Sequence, residues 1–154
     1  MPKIDENRKF IPVNIALLTV SDTRTLKDDR SGDVLFQRAS DDGHIVLERA
    51  IVKDEVNLIK KKLNLWIREP KIDVVISTGG TGFTGRDVTP EAFKAIFEKE
   101  IEGFGELFRW ISFKKIGTST IQSRAVAGVA KGTYLFALPG STGACKDAWD
   151  EILH

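Results

Sequence analysis

Several things are scarce in this chain, and each scarcity excludes something. It has one cysteine, Cys145, so no disulfide can form within it. Its two histidines, His44 and the terminal His154, cannot build a zinc site of ordinary ligand spacing. They are equally unsuited to a Ser-His-Asp or Cys-His hydrolase. No apolar run reaches the length of a membrane span. The first eight residues are polar and lack the apolar core of a signal peptide. The expectation is a cytoplasmic protein with no membrane partner. Positive charge is not in excess either: 23 Lys and Arg face 22 Asp and Glu, a net charge of +1. That balance argues against a nucleic-acid partner. Lys60-Lys61-Lys62 is the one basic run, and its helical setting makes it a solvated face. Repeats, low-complexity segments and linkers are missing too.

What is present is an ordinary globular composition. With 154 residues, 42% of them apolar, the chain can bury a substantial core in one domain. Residues 1–10 read as a flexible arm and residues 11–154 as that domain. Residues 13–20 are almost unbroken apolar sequence, as in a strand covered on both faces of a parallel sheet. They run into the polar loop Ser21-Asp22-Thr23-Arg24. Ser31 is then expected to cap a helix that turns Val34, Leu35 and Ala39 inward and ends at Asp42-Gly43. Residues 44–52 are a second strand, less continuous and so nearer an edge. Val56, Ile59, Leu63 and Ile67 mark an amphipathic helix with Asp54 at its N-cap.

Val74-Val75-Ile76 begins a third strand. After its loop, a helix carries Ala92, Phe93, Ile96 and Phe97 on one face. Glu102-Gly103-Phe104-Gly105-Glu106 reads as an interruption. Residues 107–113 read as a helix apolar on more than one side, and therefore buried, with a second subunit as the cover. Residues 118–123 suggest a short helix. Residues 125–130 and 133–138 form a hairpin about Lys131-Gly132. A last helix spans residues 144–153. Cys145 falls in its first turn, where the choice is between a packed small residue and an activated thiol, and packing is favoured. The alternation predicts a three-layer α/β/α sandwich with a mostly parallel central sheet. The loops after Val20, Ile76 and Leu138 then share one edge and one pocket.

The central loop is Ser77-Thr78-Gly79-Gly80-Thr81-Gly82-Phe83-Thr84-Gly85-Arg86-Asp87-Val88, closed by the helix start Thr89-Pro90-Glu91. Thr89 is its expected N-cap. Glycines bring bare N–H groups against a ligand, and such groups at a strand's carboxyl end bind anions. Asp87 would repel a phosphate unless a metal ion lay between them, so the loop reads as a site for a phosphorylated ligand with Mg²⁺. Gly80-x-Gly82-x-x-Gly85 matches a dinucleotide fingerprint literally, but the helix starts too late for it and no ribose-binding acid follows a next strand. The Walker pattern fails because no Gly-Lys-Ser/Thr is present. Residue types alone point to phosphoryl or nucleotidyl transfer, which needs positioning and charge neutralisation more than a nucleophile.

Thr78-Gly79-Gly80-Thr81-Gly82 followed by Arg86-Asp87-Val88-Thr89-Pro90-Glu91 resembles the signature of the MoaB/MogA family of molybdenum cofactor biosynthesis. Thr19-Val20-Ser21-Asp22, Glu102-Gly103-Phe104-Gly105-Glu106, Gly117-Thr118-Ser119-Thr120-Ile121-Gln122-Ser123-Arg124-Ala125 and Leu138-Pro139-Gly140-Ser141-Thr142 agree with it. The resemblance spans about residues 10–153 and is nearest the MoaB branch. It implies trimers, or hexamers built from two trimers. It implies adenylylation of molybdopterin by MgATP, with release of pyrophosphate and hand-over to a MoeA-type molybdate-inserting enzyme. Asp54 and Asp87 match the family's two aspartates, as catalytic residues and Mg²⁺ ligands; Asp54 as a mere helix cap is the competing role. Some members of the MoaB branch lack the first acid and are poor enzymes, whereas this chain has both. Thr78, Gly79, Gly80, Thr81 and Gly82 are expected to cradle phosphate or pterin. Ser21, Asp22, Pro139, Gly140, Ser141 and Thr142 are expected to hold molybdopterin. Gly143 stands where many relatives carry lysine, with Lys146 as a possible substitute. That leaves room for a silent molybdopterin-binding homologue, and a nucleotide-phosphate hydrolase on the same fold is a further rival.

Overall fold

The computed structural model describes residues 3–154; Met1 and Pro2, the start of the expected arm, lie outside the described residues. β1 (Asn14–Val20), β2 (Ile45–Val52), β3 (Val74–Thr78), β4 (Lys99–Glu100), β5 (Val126–Ala130) and β6 (Thr133–Leu138) form one sheet in the order β2-β1-β3-β6-β5-β4. β2, β1, β3 and β6 run parallel, and β5 and β4 add an antiparallel margin. Helices cover both faces. The expected three-layer sandwich with a mostly parallel sheet is what forms.

Successive strand residues face opposite ways, so each central strand feeds two cores. Ala16, Leu18 and Val20 of β1 pack with Ile59, Leu63 and Trp66 of α2 (Val56–Arg68) and with Phe93 of α3 (Thr89–Lys94). Ile15 and Leu17 pack with Leu35 and Ala39 of α1 (Arg30–Asp41), Phe104 and Phe108 of α4 (Glu102–Ile116), and Cys145 of α5 (Thr142–Ala148). β2 lies at the sheet's edge, and Ile45 and Leu47 are accordingly exposed. Near the chain's start, Phe10 packs on the His44 ring with centroids 5.1 Å apart. Among the described residues no helix is long and apolar enough to cross a membrane.

Several local expectations need correction. Asp29 caps α1, accepting from the Gly32 N–H at 3.0 Å; Ser31 lies inside the helix, buried, and bonds elsewhere. Glu55 holds the N-cap position of α2 and no side chain caps it, so Asp54 is not a cap. Thr89 is the first residue of α3 and Val88 holds the cap position, again with no side-chain bond. α3 ends before Ile96 and Phe97, which pack on the core from beyond it. Glu102-Gly103-Phe104-Gly105-Glu106 is no interruption, for α4 runs through it. Gly105 is needed there, since a Cβ would sit 2.7 Å from the Ala125 carbonyl oxygen. Close approach to the chain entering β5 outweighs the roughly 1 kcal/mol that glycine costs a helix interior. α4 is apolar on more than one side, as expected, but within this chain only one of those sides is buried. Phe108 and Ile111 face inward, while Trp110 and Phe113 are more than half exposed.

The expected short helix is a 3₁₀ turn over Gly117–Gln122. The β5–β6 hairpin turns at Lys131 (φ 49°) and Gly132 (φ 81°), the left-handed pair a two-residue turn demands. Ser141 caps α5, accepting from Ala144 N–H at 3.1 Å, so that helix starts two residues earlier than expected and passes into a π turn over Trp149–Leu153.

Candidate functional site

The carboxyl ends of the four parallel strands are level. Val20 pairs with Val52, Thr19 with Thr78, and Thr78 with Leu138. The chain leaves β1 toward β2 over one face and crosses to β3 over the other, so the winding reverses between β1 and β3. That reversal is where open α/β sheets hold ligands.

The loops there touch one another. Gly79 has φ 100°, and a Cβ on it would lie 2.3 Å from the Val20 carbonyl oxygen. Glycine is required by both backbone angle and space. Gly140 sits against the same residue, its would-be Cβ 3.3 Å from Gly79 Cα. The Thr78 hydroxyl donates to the Pro139 carbonyl at 2.9 Å, and the Ser31 hydroxyl donates to that of Gly140 at 2.7 Å. Ser21 accepts through Oγ from the N–H groups of Thr23 and Arg24. Behind them Asp29, 1% exposed, accepts from the Thr19 hydroxyl at 2.6 Å and pairs with Arg49 at 3.3 Å.

Two cavities open from this junction. A small one of about 110 Å³ lies between the loops and is lined by Ser21, Arg24, Ser31, Thr78, Gly79 and Gly140. A cleft of about 420 Å³ is lined by Gly80, Thr81, Gly82, Asp87, Pro139, Gly140 and Ser141, with Phe108, Ser112 and Ser123 across from them. Thr142 begins α5 just beyond. A larger hollow of about 590 Å³ lies between α3 and α4, with Glu91, Arg109, Ser123 and Arg124 in its lining.

The two expected aspartates lie on either side of the glycine loop. A Cβ on Gly80 would fall 3.0 Å from Asp54 Oδ1, and one on Gly82 would fall 2.8 Å from Asp87 Oδ2. Their electrostatic settings differ. Asp87 accepts from the Thr84 hydroxyl at 2.6 Å and the Thr84 N–H at 2.9 Å, and these bonds hold its carboxyl below the usual range. Burial pushes the Asp54 carboxyl up, and the charges of Asp22 and Asp87 push the same way. Asp22 is engaged: Arg86 grips it through two bonds at 2.8 and 3.0 Å, and the Asp54 N–H donates to it at 3.1 Å. The Arg86 guanidinium holds its carboxyl low. Burial lifts the Cys145 thiol to about 11, which makes it a packed residue and not a nucleophile.

Among the described residues no group of three or more His, Cys, Asp or Glu side chains is arranged to hold a metal. The donor set still suits Mg²⁺, which takes one or two carboxylates and fills its remaining positions with substrate phosphates and water. Burial and the charges of Asp22 and Asp87 outweigh the backbone N–H of Asp22 and the Arg86 charge at the Asp54 carboxylate, a setting that a cation relieves.

Sequence reasoning passed over Asp29 and Arg124, and read Thr89 only as a helix cap. Thr89 is fully buried with an unpartnered hydroxyl against Gly80. Asp29 carried a signal, since an acid directly before a helix is a capping position. The partners of Arg124 are 33 to 43 residues away, and no local pattern discloses them.

Fold and site together define a class: doubly wound α/β proteins that bind small ligands over the carboxyl ends of their strands. Comparison with known proteins narrows it. A family described as "Probable molybdopterin binding domain" matches residues 16–154. The chain is 52% identical over 145 residues to molybdenum cofactor biosynthesis protein B of Escherichia coli strain K12, which covers 94% of this chain and 85% of that one. It superposes on a crystal structure of a molybdenum cofactor biosynthesis protein B with a TM-score of 0.92 at 41% identity, covering 95% of this chain and 91% of that one. The tungsten cofactor synthesizing protein MoaB of Pyrococcus furiosus gives 0.83 at 34% identity, with coverage of 92% and 91%. The chain belongs to the MoaB/MogA family of molybdenum cofactor biosynthesis proteins.

Proposed function

We propose that the protein is a molybdopterin adenylyltransferase that acts in the cytoplasm as a homo-oligomer and passes its product to a molybdate-inserting enzyme. The observation that carries this reading is the placing of Asp54 and Asp87 against Gly80 and Gly82, on a glycine loop that lines a cleft. Such a loop receives phosphate, and the two carboxylates supply the means to hold its counter-ion.

In the proposed reaction a terminal phosphate oxygen of molybdopterin attacks the α-phosphorus of ATP. The new P–O bond forms as the bond from the α-phosphorus to the bridging oxygen breaks, and pyrophosphate leaves with that electron pair. Asp54 and Asp87 would hold Mg²⁺, which when bound supplies neutralisation of the phosphate charge. The chain's own part is positioning. The backbone of Gly80, Thr81 and Gly82 orients the phosphates. Thr84 fixes the Asp87 carboxylate. Arg86 holds Asp22, which accepts from the Asp54 N–H and so fixes the backbone that carries that carboxylate. Pro139, Gly140 and Ser141 line the same cleft, where molybdopterin fits. Transfer of this kind draws most of its acceleration from orientation and preorganised charge. The exposed aromatic rings of α4, Trp110 and Phe113, support an oligomer, because a second subunit would cover them.

A second reading is a silent molybdopterin carrier, and Gly143 favours it. A side chain there would meet nothing within 4 Å, so the position is open and without charge. The deciding experiment is pyrophosphate release from ATP and Mg²⁺ with and without molybdopterin. Release that requires molybdopterin supports the transferase. Binding of molybdopterin without release selects the carrier, and release without molybdopterin selects a nucleotide-phosphate hydrolase.

A further inference from the structure

The glycine loop has to be stiff for the two carboxylates to stay in register, yet Phe83, Thr84, Gly85 and Arg86 are exposed. Its only regular neighbours are β3 before it and α3 after it. The Thr89 N–H closes on the Gly80 carbonyl and Asp22 holds Arg86, and one further side chain from outside bonds both ends of the loop. Arg124, two residues before β5, donates through Nε to the carbonyl oxygens of Gly82 at 2.9 Å and Thr81 at 3.3 Å. Through Nη2 it donates to the carbonyl of Asp87 at 2.7 Å, and through Nη1 it pairs with the Glu91 carboxylate in the first turn of α3. Its guanidinium lies 5.8 Å from the Phe83 ring centroid. The side chain is three-quarters buried.

These contacts suit arginine alone. A guanidinium offers five N–H donors in a rigid plane, whereas a lysine ammonium is a single point that cannot span entry, exit and helix at once. The anchor is firm, since the chain passes directly from Arg124 into the buried strand β5. The neighbouring Arg109 has another task. It bonds the carbonyls of Ser123 and Ala125, on either side of Arg124, and so holds the backbone from which the clamp reaches.

We infer that Arg124 is a positioning residue for adenylyl transfer: it clamps residues 81–87 from the sheet and so fixes the Asp87 carboxylate without touching substrate. This rests on the transferase reading above. It differs from a structural role because the clamped segment carries a site carboxylate and no core residue other than Thr81.

The test pairs hydrogen exchange of a peptide covering residues 81–88 with steady-state pyrophosphate release, on full-length wild type, Arg124→Gln, Arg124→Lys and, as control, Arg38→Gln, whose partner is Asp150. The clamp predicts that both Arg124 variants exchange about tenfold faster in that peptide, as expected of a locally opened segment. It predicts a kcat loss of about 100-fold with the KM for ATP changed less than about threefold, since alignment of the carboxylate is lost while the substrate wall remains. Arg38→Gln should leave the peptide's exchange unchanged. Should Arg124→Gln fail to fold, Arg124→Lys keeps the cation and carries the test. Unchanged exchange in the loop, or a folded Arg124 variant with kcat within about twofold of wild type, overturns the inference. If wild type releases no pyrophosphate, the transferase reading falls, and the exchange of the loop alone decides the clamp.

Discussion

Replacing Gly82 by alanine inserts one methyl group between the glycine loop and Asp87. The new Cβ would stand 2.8 Å from Asp87 Oδ2, 3.1 Å from its Cγ and 3.3 Å from Oδ1. All three are closer than ordinary van der Waals contact, so the carboxylate has to swing away. It is the free end of a side chain, and Gly82 has no left-handed φ, so the backbone need not move. The swing breaks the bonds from the Thr84 hydroxyl and N–H. In a partly solvated site that costs about 1 kcal/mol, and the lower chain entropy of alanine in the unfolded state returns about half of it. The melting temperature should therefore fall by no more than about 4 °C. Turnover should fall much further, about 100-fold, because displacement of a site group by an ångström is costly on that scale. Thermal melting and pyrophosphate release on the same preparation read both quantities. Gly85→Ala is the control, since a Cβ there meets nothing within 4 Å and should change neither. Gly79→Ala gives the opposite pattern. Its Cβ would collide with the Val20 carbonyl at 2.3 Å on a φ of 100°, so stability should drop by more than about 3 kcal/mol. A Gly82→Ala protein with full turnover would refute the assignment of Asp87 to the chemistry.

Further expectations concern other groups. Asp54→Asn removes a carboxylate that folding places among like charges; its raised pKa means that its ionised form disfavours the fold as pH rises above the ordinary carboxylate range. The variant should melt no lower than wild type at pH 7 and lose about 100-fold in turnover, whereas a lower melting point with unchanged specific activity would restore a purely structural role. Asp29→Asn leaves Arg49 underpaired and weakens both the cap of α1 and the Thr19 contact, so urea unfolding should show a loss of about 2–3 kcal/mol; less than about 1 kcal/mol would mean the network matters little. With its pKa pushed up to about 11 and its side chain buried, Cys145 should resist iodoacetamide at pH 8 in the folded protein and react once unfolded; rapid labelling of the native state would contradict its packing.

The parts of the fold visible in the sequence were those with a strong period or a strong local demand. β1, β3 and β6 are apolar because both faces are covered, and the loops at their ends stand out by glycine and hydroxyl content. The pairing of Asp54 with Asp87 came from resemblance, and the structure brings both to Gly80 and Gly82, which sit 2 residues apart in the loop. What stayed hidden depends on distant contacts. The two-residue β4 carries no pattern. Gly103 and Gly105 looked like a break because the approach of α4 to Ala125 cannot be seen locally. Asp54 looked like a cap because one residue of offset separates it from Glu55. Arg124 was visible only as part of a matching segment, since its acceptors come from another third of the chain.

The central claim is that adenylate passes from ATP to molybdopterin at the Asp54–Asp87 loop. Its most direct test is to supply ATP labelled at the α-phosphorus, with Mg²⁺ and molybdopterin, to wild type and to Asp87→Asn. The account predicts label in an adenylylated pterin, matched by an equal amount of pyrophosphate, from wild type and not from the variant. Label that remains in ATP while molybdopterin is bound, or that appears as nucleotide without any pterin product, would contradict it.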